Sequence, residues 1–157
     1  MVPPVKSAIP LEQMRGEDGL DDKLLREMAD QAIRYVRSFQ WCLDIHEKYF
    51  GDGFGGIIAL FLFRVTIRGR ETPEWIWVFV GDLPSSYLEV DGFHTPRKAL
   101  LRYITGVEDW VGTREDEREK RDDLPPIEVP PGPEILEILK GRIDTLRCHV
   151  LPHMKDA

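Results

Sequence analysis

The residues best suited to acid–base or nucleophilic chemistry fall in one short span: Asp82, Ser85, Asp91 and His94. Two carboxylates, a hydroxyl and an imidazole are the parts of a relay in which histidine takes a serine proton and a carboxylate orients the ring. His94 sits just before a helix start, in a loop, where functional residues collect. The relay lacks its usual surroundings, however. No G-x-S-x-G elbow and no oxyanion loop accompanies Ser85. Asp82 and Ser85 are equally explained as turn formers within GDLPSS. No catalytic residue is therefore assigned, and this cluster stands as the alternative site.

Other groups of reactive residues are weaker. Asp44-Ile45-His46-Glu47 is rich in acid–base groups, but the periodicity places it on a helix, where neighbours so close in sequence do not converge, Asp44 and Glu47 excepted. It also lacks the second histidine of H-E-x-x-H. Cys42 and Cys148 belong to no CxxC or Cys/His cluster and read as buried thiols. Neither a metal nor a cofactor is expected. GDGFGG at 51–56 invites comparison with phosphate loops, but those run from strand into helix, and here the expected order is reversed. Trp75, Trp77, Phe79 and Tyr87 are either a stacking platform or core.

The elements that must position these residues centre on 56–91, read as three strands in an antiparallel meander. The first two strands are apolar on both faces, so both sides need cover. An N-terminal helix is expected from Asp21 or Asp22 to Phe50, its stripe including Leu25, Met28, Ala32, Val36, Leu43, His46 and Phe50. Gly51 suits its left-handed C-cap. Trp41 and Ile45 fall on the polar side of that helix, either covered by another element or forming a contact patch. Thr95 and Pro96 start a second helix, with Leu100, Tyr103, Ile104, Val107, Trp110 and Val111 on one face. Pro133 starts a C-terminal helix, expected to return to its own sheet. The fold class is α+β. The chain divides into an extended arm (1–20), a core (21–112), a charged and proline-rich connector (113–132) and the C-terminal helix with its tail (133–157).

A chain of 157 residues suits one domain, and 42% hydrophobic with 31% charged residues is ordinary for a globular protein. A net charge of −7 argues against nucleic acid, which is held through concentrated lysine and arginine. The N-terminus has no apolar signal core, and the longest apolar run is too short to span a bilayer, so a cytoplasmic protein without membrane association is expected. Residues 113–123 hold ten charges, six acidic and four basic.

The run WVFVGDLPSSYL at Trp77–Leu88, with Gly81, Asp82, Leu83, Pro84 and Tyr87, resembles a group of small bacterial domains of uncharacterised function. The helix start at Thr95 extends the likeness to about 40 residues. The resemblance implies a bacterial α+β domain and transfers no catalytic residue.

Size, acidity and absent signatures together point to a non-enzymatic protein-binding domain, of the immunity or antitoxin type. Its expected partner is a basic protein, met by Glu115, Asp116, Glu117 and Glu119, with Trp41 and Ile45 as a second contact. The alternative is a small enzyme or ligand-binding domain using the strand-end cluster. A homo-oligomer joined through Trp41 and Ile45 is a third reading.

Overall fold

Two adjacent strands with large apolar side chains on both faces must be buried from both sides, and that requirement shapes the architecture. The computed structural model describes residues 2–115, 127 and 132–157. Its strands are β1 (Ile9–Pro10), β2 (Cys42–Phe54), β3 (Ile58–Ile67), β4 (Glu74–Gly81) and β5 (Ser86–Glu89). They form one five-stranded sheet in the order β1-β2-β3-β4-β5, every pair antiparallel. The helices are α1 (Gly19–Arg37), α2 (Pro96–Glu115) and α3 (Pro133–Thr145). The chain is α+β, as its patterning indicates, but its meander has two strands more than the three expected.

Alternation along β3 and β4 divides the core in two. Ala59, Phe61, Phe63 and Val65, with Ile76, Val78 and Val80, pack with Leu25, Met28, Ala32 and Val36 of α1. Ile58, Leu60, Leu62, Trp77 and Phe79 pack against α2 and α3. The C-terminal helix returns to its own sheet, burying Leu139, Ile143, Leu146 and Val150. It passes through one π-helical turn at Leu146–Val150 before the tail. Arg97 of α2 then holds that tail, donating from Nε to the Met154 carbonyl and from Nη2 to that of Pro152, each at 3.1 Å.

The long N-terminal helix is the main correction. It ends at Arg37, and the residues expected to continue it form β2. Sheet pairing explains why its pattern misleads. The register between β2 and β3 shifts at Leu43, His46 and Gly51, where one extra residue bulges from β2. Each bulge interrupts the two-residue alternation and stretches the apolar spacing toward that of a helix. Ile45 and Phe50, five residues apart, thereby pack in the same core. The helix also begins earlier than expected: Asp18, not Asp21 or Asp22, is the cap, accepting from the Asp21 amide at 2.8 Å. Asp21 and Asp22 instead accept the amides of Gly55 (2.6 Å) and Gly16 (3.1 Å), tying α1 to the β2–β3 turn and to the arm before it. That arm is docked: Val5 and Met14 are fully buried, and Ile9–Pro10 pairs with β2.

Gly51 is a strand residue here rather than a helix cap. A β-carbon there would lie 2.6 Å from the Trp77 ring, so the glycine is required by close packing. The second helix starts as expected, with the Thr95 hydroxyl accepting from the Lys98 amide at 3.1 Å.

Gly51→Ala forces a methyl group into a fully buried tryptophan. The substitution is expected to cost about 1–3 kcal/mol in a urea unfolding experiment, with the slope of the transition unchanged.

Candidate functional site

The four residues of the alternative site do not meet. β5 is four residues long and separates Asp82 and Ser85, at its entry, from Asp91 and His94, beyond its exit. At about 3.3 Å per residue the two pairs stand roughly 13 Å apart at opposite ends of the strand. Asp91 and His94 are exposed, and Asp82 pairs with Arg142 of α3 at 3.3 Å. A relay from Ser85 through His94 to a carboxylate is excluded by this arrangement.

Among the described residues, a different acid–base row assembles on β2 and β3. His46 Nε2 lies 2.5 Å from Thr66 Oγ1, and His46 Nδ1 lies 3.6 Å from Asp44 Oδ2. Beside it Arg64 donates to Glu47 at 2.6 Å. Assigning 44–47 to a helix hid this row, because Asp44 and Thr66 become neighbours only across a strand pair. The histidine–carboxylate contact is longer than a hydrogen bond, and the row lies on an open surface, so it offers polarity without a sequestered reaction centre.

The aromatic residues divide between core and seal. Trp77 and Phe79 are fully buried, with the Trp77 indole N–H donating to the Phe93 carbonyl at 2.8 Å. Tyr87 joins Tyr35, Phe39 and Trp41 in a cluster of four rings at the foot of α1. Ile45 is buried beneath α1, and Trp41 packs against the same core. Cover for the pair therefore comes from within the chain. Of the acidic residues singled out above, Glu115 ends α2, while Asp116, Glu117 and Glu119 lie outside the described residues.

The turn from Gly81 to Ser85 is the most firmly built feature at the sheet's end. Gly81 has φ 156°, and a β-carbon there would lie 2.2 Å from the Ile57 carbonyl oxygen. The Asp82 amide donates to that oxygen at 2.9 Å, joining this turn to the β2–β3 turn. Leu83 is buried, and the Tyr103 hydroxyl donates to the Pro84 carbonyl at 2.6 Å. Asp82 is thereby held between two hollows. One, of about 470 Å³, is lined by Leu24, Met28, Gln31 and Arg34 among others. The other, of about 210 Å³, includes Ile57, Leu83, Arg142 and Thr145. A large apolar side chain stands open at the second hollow: Ile57 is 44% exposed.

Comparison with protein-family models, with curated proteins and with solved structures gives no match. The geometry has to carry the reading. Among the described residues no group of histidine, cysteine and carboxylate side chains is placed to hold a metal ion. None of their helices is long and apolar enough to cross a membrane. What the sheet end presents is a hydrogen-bonded loop pair with the acidic side chains Asp82 and Glu27, the basic neighbours Arg34 and Arg142, and uncovered apolar surface at Ile57.

Burial raises the pKa of Tyr103, which anchors the turn. The unfolded chain releases this proton near pH 10 while the folded chain retains it, so the tyrosine's contribution to stability declines as pH rises above about 10. The unfolding midpoint is expected to fall more steeply above that pH in the wild type than in Tyr103→Phe. Thermal melts from pH 8 to 11 test this; parallel curves would show that Tyr103 does not control the loss.

Proposed function

We propose that this chain is a non-enzymatic protein-binding domain whose contact surface is the sheet end around Asp82. The observation that carries the reading is the exposure of Ile57 at the rim of a hollow beside Asp82, on turns joined by hydrogen bonds from the Asp82 amide and the Tyr103 hydroxyl. Exposed apolar groups flanked by charged side chains are the composition of a protein contact, with anchors at the centre and a polar rim. Preorganised turns lower the ordering cost of association. An inhibitor of the immunity or antitoxin type fits, because such a protein acts by occupying its partner rather than transforming it.

The net charge of −7 and the acidic residues Glu115, Asp116, Glu117 and Glu119 favour a basic partner, steered in by long-range attraction. The separation of the Ser85 and His94 positions removes the support that an enzymatic reading drew from them.

The test is affinity capture from the native host with the folded wild type and three variants. Ile57→Asp is expected to lose a stoichiometric partner, weakening binding by at least about tenfold. Ile138→Asp, at an equally exposed apolar residue on α3, is expected to retain it. Reversing the four acidic charges should slow association in a salt-dependent manner. A partner held equally by all variants, or lost only with Ile138→Asp, would place the contact elsewhere.

A further inference from the structure

Among the described residues, Asp52 is the one buried charged side chain. It lies on the α2–α3 side of the sheet, opposite Leu60 of β3. Its two oxygens are met by backbone amides: Oδ1 accepts from Gly53 at 2.9 Å and Oδ2 from Lys155 at 2.8 Å. Lys155 belongs to the tail after α3, which is fastened at further points. The Arg97 amide donates to the Lys155 carbonyl at 2.9 Å, and the Thr95 hydroxyl to Asp156 Oδ1 at 2.8 Å. The Ser7 hydroxyl donates to the Ala157 carbonyl at 2.6 Å, and Met154 is buried in the α2–α3 layer.

We propose, resting on the protein-binding role of the Asp82 surface, that this tail is a strap that sets how firmly that surface is held. Docked, it keeps the Ile57 and Asp82 turns in their binding arrangement; lifted, it lets them loosen and lowers affinity for the partner.

The link runs through Asp52. With the tail lifted, one oxygen of a buried carboxylate loses its donor, a cost relieved by turning the side chain out to water. The bulge at Gly51 lies immediately before Asp52, and a bulge is where a strand re-aims its side chains. Gly53 follows, packed so closely on β3 that a β-carbon would lie 2.8 Å from the Ala59 Cα, so rotation at Asp52 is passed on rather than absorbed. The Ile57 amide donates to the Phe54 carbonyl at 3.0 Å, and the Ile57 carbonyl accepts the Asp82 amide. Tail, strand end and both turns thus form one run of hydrogen bonds, a physical means by which separate segments share two arrangements. From the other side the Asp21 carboxylate holds the Gly55 amide, so lifting the tail loosens the turns without detaching them.

Hydrogen exchange on the full chain tests the coupling. Met154→Asp ejects the tail, and Asp52→Asn breaks the link while leaving the Arg97, Thr95 and Ser7 bonds in place. The milder Asp52→Asn serves alone where Met154→Asp does not fold. Each is expected to raise exchange at the Asp82 amide by about tenfold or more, while the Leu62 and Val78 amides at the sheet centre keep wild-type protection. In affinity capture, Asp52→Asn is expected to weaken by about tenfold the partner that Ile57→Asp loses. An equal rise at every amide, an Asp82 amide unchanged or already unprotected in the wild type, or full affinity in Asp52→Asn would overturn the strap while Ile57→Asp still lost the partner. Retention of the partner by Ile57→Asp would instead overturn the contact surface, and with it the strap's role there.

Discussion

The controlling constraint is the two-sided burial of β3 and β4. Phe61 and Phe63 project into one layer while Leu60, Leu62 and Trp77 project into the other, all fully buried. Each such side chain is worth about 1.5–3 kcal/mol when removed from water, so leaving either face bare would forfeit an amount comparable to a domain's net stability. Helices on both faces are the necessary answer. The connections follow from it: α1 precedes the central strands on one side, and α2 and α3 follow them on the other. The docked arm adds Val5 to the second layer and Met14 to the first, and the tail gripped by Arg97 completes the second.

How far this was legible in the amino acids depended on whether the signal was local. The second helix was readable because Thr95 and Pro96 set its start through chemistry confined to one turn. The third began where Pro133 indicated. The central strands declared themselves through apolar runs too short for helices and bounded by turns. β2 was opaque for a physical reason. Its bulges replace alternation with spacings that a helix would also satisfy, and only the neighbouring strand distinguishes the two. β1 was opaque because two residues hold no period at all.

The candidate site divided along the same line. The GDLPSS turn could be read from Asp82 and Pro84, but its neighbours could not. The hollows beside Asp82 are walled by α1 and α3, elements that lie far from the turn in sequence. The separation of Ser85 from His94 is a matter of strand direction: residues close in sequence were carried apart by one short strand. Asp44 and Thr66 show the converse, brought together by pairing across 22 positions of chain. Recognition surfaces and acid–base rows alike are products of topology here.

The order of the layers also bears on synthesis. A ribosome releases α1 and all five strands before either helix of the opposite layer. One face of the nascent sheet can therefore close early, while the face bearing Trp77 and Phe79 waits for α2 and is finished only by α3. In that interval the chain resembles a folded body with an oily underside, the kind of intermediate that aggregates or recruits chaperones. The four-residue β5 at one rim and the kinked β2 near the other then serve the unfinished molecule, limiting lateral capture by neighbouring nascent chains.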